Sequence, residues 1–252
     1  EPDIYAAIKH DALLENVVID AVTGDPVYTD RSKTENGRVS YPIYHIDNAK
    51  DGSKGGHPKT VIFLTCDAYG VLPPIAKLTR GQAMYQFISG YTAKVAGTER
   101  GVTEPSPTFS ACFGAAFLPL HPTVYADLLA AKLESHGTQV YMINTGWTGG
   151  AYGVGERISL AHTRACVRAA LNGEFNDDEC TQEPVFGFQV PTSLEGVPPS
   201  LLDARGSWGN SDEYDEQARK LAALFRANYK RFRDPTKTDY EMHGPVLETF
   251  RT

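Results

Sequence analysis

Three features of this chain predict an α/β fold. Two apolar runs, Thr60–Ala68 and Gln139–Asn144, read as strands. Helical patterns follow them, over Arg80–Ala96 and from about Ser159. A long amphipathic helix, Ser211–Phe232, closes the chain. With 252 residues and 41% hydrophobic content, the chain can fill one full core or two small ones.

In chain order, EPDIYAAIKHDALLEN reads as a helix from its first residues, because Pro2 suits the first helical position and Ile4, Ile8 and Ala12 share a face. No initiator Met, basic n-region or signal peptide precedes it, so the chain is expected to be entered midway in a longer protein. Val17–Ile19 reads as a short strand, and Thr23-Gly24-Asp25 as a turn leading to Pro26–Thr29. The polar stretch Asp30–Gly37 then meets Arg38, and Val39, Tyr41, Ile43 and Tyr44 suggest a partly buried segment. An arginine at such a junction offers a planar fork for carboxylate or phosphate oxygens. An ion pair with Asp30 or Glu35 would explain it equally well.

Asp47–Lys59, rich in Gly and Lys, reads as an exposed loop, and Thr60–Ala68 as a strand buried on both faces. Ligands of α/β proteins gather beyond strand C-termini, which makes Asp67 and the turn Gly70–Leu78 site-formers; a turn or cap role for Asp67 is the simpler reading. Thr79 and Gln82 form a capping box for the next helix, where Met84, Phe87, Ile88 and Tyr91 supply an apolar stripe. Thr92–Gly114 has neither helical nor strand pattern. Gly97, Gly101, Pro105 and Pro107 interrupt it and Lys94, Glu99, Arg100 and Glu104 charge it, as in a lid or binding loop, or else a surface connection. After the apolar run Cys112–Leu120, Pro122 opens a helix with Val124, Leu128, Leu129 and Leu133 inward and Gly137 as its stop.

The strand Gln139–Asn144 runs into NTGWTGGAYGVGERISLAHTR. Its glycines between Gly146 and Gly155 permit close backbone approach to a ligand, and the helix that follows offers free amides. Arg157 and Thr163 flank the start of that helix. The pattern suits a nucleotide or phosphate, yet it is neither a Walker A loop nor a G-x-G-x-x-G turn, and a hairpin with a capped helix would give the same spacing. Glu183–Pro199 reads as an excursion over the surface. In the closing helix, early acids (Asp212, Glu213, Asp215, Glu216) and later bases complement the helix dipole and read as a solvated face.

A net charge of -7 argues against nucleic acid, whose phosphates demand clustered Lys and Arg. No apolar run reaches membrane-spanning length. Cys66, Cys112, Cys166 and Cys180 are scattered with no C-x-x-C pair, which suits reduced thiols in a reducing compartment. Neither a G-x-S-x-G elbow nor an H-E-x-x-H helix occurs.

Four blocks, SKTENGRVSYPIYHI, FLTCDAYGVLPPIAKLT, ISGYTAKVAGTERGVTEPSPTFSACFG and NTGWTGG…GERISLAHTR, together resemble ATP-dependent phosphoenolpyruvate carboxykinase, in its C-terminal portion. The resemblance runs through essentially the whole chain. It implies a mixed-sheet mononucleotide-binding domain over residues 1–252, with helices packed on the sheet. It also implies conversion of oxaloacetate and ATP to phosphoenolpyruvate, CO2 and ADP, with Mg2+ and Mn2+. By the same resemblance Arg38 contacts both the carboxylate substrate and the nucleotide phosphate, Arg157 and Ile158 hold the adenine, Thr163 is a further nucleotide contact, and Glu1 contacts ATP at the ribose. Lys94–Cys112 matches the family's mobile lid. The family's P-loop, its metal-binding Lys, His and Asp and its other substrate-contacting Arg and Tyr are expected before Glu1, in an N-terminal half that is a partner of this segment. The segment alone is therefore expected to be inactive. Family members differ between monomer and homodimer. The cytoplasm is the expected compartment, with a glycosome or other organelle left open, although Phe250-Arg251-Thr252 is no peroxisomal S-K-L signal. A nucleotide-binding module without chemistry, or a purely structural domain, are the alternatives.

Overall fold

A computed structural model describes residues 2–34, 36–95 and 102–246. Two compact units emerge, one from residues 1–57 with 94–104 and one from residues 58–93 with 105–252.

The first unit contains α1 (Pro2–Ala6), β1 (Leu13–Glu15), β2 (Val18–Ile19), β3 (Pro26–Val27) and β4 (Arg38–Ser40). The helix expected over the first sixteen residues stops at Ala6. So short a helix sustains itself poorly, and the chain instead turns through Asp11, at φ 74°, into β1. There the backbone finds partners in β4, antiparallel, with Leu14 opposite Val39 and Glu15 opposite Arg38. The expected turn at Thr23–Asp25 joins β2 to β3, with Gly24 at φ 76° and the Asp20 carboxylate accepting from the Val22 and Thr23 amides at 2.7 and 2.9 Å. Val39 and Tyr41 are partly buried as expected, whereas Ile43 and Tyr44 are exposed. They sit on a short 3-10 turn that buries its last residue, His45, whose Nδ1 donates to the Ala7 carbonyl at 2.9 Å.

The second unit is built from β5 (Thr60–Thr65), β6 (Ile75–Leu78), α2 (Arg80–Ser89), β7 (Tyr91–Lys94), β8 (Ser106–Phe109), α3 (Pro122–His136), β9 (Gln139–Asn144), β10 (Trp147–Thr148), β11 (Glu156–Arg157), α4 (Leu160–Asn172), β12 (Cys180–Gln182), β13 (Gln189–Pro191), α5 (Pro199–Leu202) and α6 (Ser211–Tyr229). Its main sheet has the order β12-β13-β6-β9-β5, parallel between β5 and β9 and antiparallel elsewhere. Alternation along β9 sends side chains to two cores. Val140 and Met142 join a cluster with Met84 and Ile88 of α2, Ala126 and Leu133 of α3, and Leu221 and Phe225 of α6; Tyr141 and Ile143 join Ala165, Cys166 and Ala170 of α4 on the other face. A mixed sheet covered by helices is the α/β class predicted.

Several boundaries move. The helix expected to reach Ala96 ends at Gly90, which adopts the left-handed conformation (φ 54°, ψ 42°), and a Cβ there would run into the Ser110 carbonyl. The chain then forms β7, which pairs with β8, so the described flanks of the stretch read as patternless are strands; residues 96–101 lie outside the described residues. The apolar run after Cys112 holds two 3-10 turns, with Cys112 and Phe113 at φ 55° and 56°. Leu128 of α3 is 62% exposed rather than inward, since the helix buries Thr123, Ala126 and Leu133. Strand β5 is not buried on both faces either. It is the edge of the sheet, and Leu64 is 58% exposed. The Glu183–Pro199 stretch does not skim the surface: Val185, Phe186, Phe188 and Val190 enter the core while β12 and β13 extend the sheet. In α6, Asp215 is buried and paired with Arg205 through two bonds of 2.8 and 2.9 Å, so its charge has a specific partner rather than solvent alone. The four cysteines are free, and only Cys180 is not buried.

Candidate nucleotide site

Two neighbouring strands, β5 and β9, run parallel and deliver their C-terminal ends side by side, where two buried polar residues organise the loops. Asn144, fully buried, accepts through Oδ1 from the Asp67 amide (2.9 Å) and the Gly146 amide (2.8 Å), and donates through Nδ2 to the Leu72 carbonyl (2.8 Å). Asp67, also fully buried, accepts from the amides of Tyr69, Val71 and Leu72 at 2.7 to 2.9 Å and from the Tyr91 hydroxyl at 2.8 Å. Burial pushes its carboxyl pKa up, and these four donors pull against that shift. The turn reading of Asp67 describes what it does here. It shapes the site from beneath.

Glycine is required where the two loops touch. A Cβ on Gly146 would enter the backbone of Asp67, and one on Gly70, at φ 71°, would enter the Gly150 carbonyl. The Trp147 amide donates to the Asp67 carbonyl and the Tyr152 amide to that of Ala68, both at 2.9 Å. The glycine-rich segment itself forms the hairpin β10–β11, with Trp147 directly opposite Arg157 and Thr148 opposite Glu156. Ser159 then caps α4 by accepting from the His162 amide at 3.2 Å. Hairpin and capped helix are thus both present, and between them lies an open cavity.

That cavity, of about 520 Å³, is lined by Thr148, Gly149, Val154 to Ser159, and His162, and closed on its far side by Pro198, Ser200, Leu201, Gly206 and Ser207. Its volume suits a nucleoside. Arg157 and Ile158 come together on its wall. Ile158 is buried in the α4 core and its amide donates to the Gly146 carbonyl at 2.8 Å. The exposed Arg157 sends Nε to the Thr145 carbonyl at 3.1 Å and lays its guanidinium carbon 5.5 Å from the centre of the Trp147 ring. Thr163, partly buried, lies in the first turn of α4 behind His162, and its amide is spent on the Ser159 carbonyl. Arg38 belongs to the other unit. It is exposed on β4, and among the described residues its guanidinium has no hydrogen bond or ion pair, with Asp30 or any other. Glu1 lies outside the described residues, as does Glu35.

Sequence reasoning missed the far wall. Ser207 accepts from the Gly149 amide at 3.2 Å, and Trp208 Nε1 donates to the Gly70 carbonyl at 2.9 Å, so the 203–209 turn is stitched to both loops. It also missed Trp147, for which a signal existed: a tryptophan, one of two in the chain, set among glycines. Among the described residues no group of three or more His, Cys, Asp or Glu side chains is placed to hold a metal, and no helix is long and apolar enough to cross a membrane.

Comparison with known proteins matches residues 1–200 to the model of the family described as phosphoenolpyruvate carboxykinase. The chain is 54% identical over 246 residues to a phosphoenolpyruvate carboxykinase (ATP) of Lysinibacillus sphaericus, covering 98% of this chain and 47% of that protein. It is 56% identical over 247 residues to one of Leptospira biflexa, again covering 98% and 47%. A third, from Sulfurimonas denitrificans, is 52% identical over 250 residues, covering 99% and 47%. The chain therefore spans about half the length of the curated relatives it matches. With most of its residues matched by the family model and half of them identical in such relatives, the chain belongs to the ATP-dependent phosphoenolpyruvate carboxykinase family.

Proposed function

We propose that this chain is the nucleotide-holding segment of an enzyme that converts oxaloacetate and ATP to phosphoenolpyruvate, CO2 and ADP, a step of gluconeogenesis. One observation carries the reading: the cavity at the start of α4 has Arg157 and Ile158 on one wall, in a chain that belongs to this family. In this reading the cavity takes the adenine between Arg157 and Ile158, Thr163 supports the same end, and Glu1 meets the ribose. Arg38 lies between two anions, the substrate carboxylate and the γ-phosphate, where a fixed cationic fork neutralises charge on both.

The chemistry then balances simply. The C–C bond of oxaloacetate breaks to release CO2, and its electron pair remains as the enolate of pyruvate. The enolate oxygen forms a bond to the γ-phosphorus, and the β,γ-bridging oxygen leaves on ADP. By the family resemblance, residues 94–112, of which 96–101 lie outside the described residues, would serve as the lid that keeps water from the enolate and from ATP. Divalent Mg2+ or Mn2+ would supply charge neutralisation on the phosphates. The described residues offer no cluster fit to hold either ion, and we place those ligands, with the P-loop, in an N-terminal half of the same polypeptide. Residues 1–252 together form the C-terminal domain segment of that enzyme, which works in the cytoplasm without nucleic acid or membrane.

The test is phosphoenolpyruvate formation from oxaloacetate, ATP and Mn2+. The natural-length protein is expected to turn over and the 252-residue chain alone is expected not to. A natural polypeptide of 27.5 kDa that binds ATP and forms no product would replace this reading with a nucleotide-binding module.

A further inference from the structure

Arg157 poses a physical problem for any site that uses it. An exposed arginine samples many rotamers, and freezing one on binding costs much of what its contacts return. The structure solves this before a ligand arrives. Trp147 and Arg157 are directly opposed across the β10–β11 hairpin, so both side chains leave the same face of it. The guanidinium carbon sits 5.5 Å from the indole centre, and Nε is tied to the Thr145 carbonyl at 3.1 Å. The indole cannot drift. It is 8% exposed, its own amide is bonded to the Asp67 carbonyl, and Tyr152 packs edge-on against it at 5.4 Å and 87°. The guanidinium is thereby held at two points, the ring and the carbonyl, while the residue still lines the cavity.

We infer that Trp147 is a positioning residue for the base end of the nucleotide: it holds Arg157 in place so that the guanidinium meets a planar aromatic base from a fixed position. This rests on the nucleotide reading of the cavity proposed above. A flat cation held by a second aromatic suits the π-face of a purine, and it asks nothing of the phosphates.

The experiment is a double-mutant cycle in the natural-length protein, reading KM for ATP, KM for oxaloacetate, kcat and melting temperature for Trp147→Leu, Trp147→Phe, Arg157→Ala and Trp147→Leu/Arg157→Ala. Trp147→Leu is expected to raise KM for ATP about tenfold, by loss of the ring–cation contact and of pre-organisation, with much smaller changes in kcat and in KM for oxaloacetate. Trp147→Phe, which keeps a ring of weaker quadrupole, should restore most of the loss. Adding Trp147→Leu to Arg157→Ala should change little further. A purely structural tryptophan would instead lower the melting temperature and give independent, multiplying effects, which overturns the inference, as does an unchanged KM for ATP. If Trp147→Leu fails to fold, site-specific fluorination of the Trp147 ring decides, because it weakens the quadrupole at nearly constant volume: KM for ATP rises with each fluorine if the inference holds and stays flat if it does not. An Arg157→Ala protein with unaltered KM for ATP would remove the nucleotide reading itself. Arg157→Ala effective and Trp147 silent would remove only this inference.

Discussion

Arg38 and Arg157 are the two arginines given ligand roles in the proposed function, one in each compact unit, and the chain treats them in opposite ways. Arg38 stands exposed on a three-residue strand, opposite Glu15 in register yet without a side-chain bond among the described residues. Arg157 stands on a strand shorter still, but its guanidinium is held over an indole and bonded to a carbonyl. A held cation makes a recognition surface in advance. Arg38 has no such hold among the described residues, so any order it gains on binding has to be acquired then.

The sharpest way to break the comparison is Arg38→Ala in the natural-length protein. Turnover should fall roughly 10²- to 10³-fold with almost no change in melting temperature, as expected when a group aimed at developing charge is lost. Normal turnover would take Arg38 out of the site. Next in size is a buried charge that is held but costly. Burial pushes the Glu183 carboxyl pKa up to about 7, against the opposing amides of Val185 and Phe186 at 3.0 and 2.6 Å. Since the folded pKa exceeds the unfolded one, this contribution to stability is full below about pH 4.5 and is lost as pH rises through 7, by up to about 3 kcal/mol. Denaturant unfolding at pH 5 and pH 8 should show that loss, and Glu183→Gln should flatten it; equal slopes in the two proteins would show that Glu183 is not the group.

Smaller effects sharpen the contrast. Gly146→Ala puts a methyl into the Asp67 backbone beneath the Trp147–Arg157 pair, and should cost about 2 kcal/mol of stability while raising KM for ATP. An unchanged melting curve would mean the loops can part without loss. Arg157→Lys keeps the charge and forfeits the flat fork; KM for ATP should rise only a few fold, about 1 kcal/mol. A loss as large as that of Arg157→Ala would show that planarity matters more than charge.

Local chemistry made much of the fold legible. Thr79 and Gln82 announced a capping box that the structure contains, Pro122 and Gly137 bracketed α3, and Gln139–Asn144 was read to the residue. The failures share a cause, which is that a distant partner decides. Nothing local says that residues 13–15 will pair with 38–40, so the sequence pattern extends the first helix too far. Gly90 stops α2 because the Ser110 carbonyl lies against it. Proline-rich Glu183–Pro199 looked like surface because its prolines were louder than Phe186 and Phe188, which pack against Phe225 or its cluster. At the site, the glycines and Arg157 were visible in sequence, whereas Ser207 and Trp208 come from more than fifty residues away and carry no pattern of their own.

The edge position of β5 has a consequence for anyone handling this chain. Residues 60–65, TVIFLT, are uncharged, free of proline and largely β-branched or aromatic, and they form the last strand of the main sheet, whose outer rim of amides and carbonyls pairs with no other strand among the described residues. Two such rims from separate molecules can zip together, side by side, into a continuous ribbon. The exposed Lys59 places a charge at the start of the segment and opposes that process. Neutralising Lys59 would make concentrated solutions of the chain turn cloudy sooner, long before any reduction in native stability explained it.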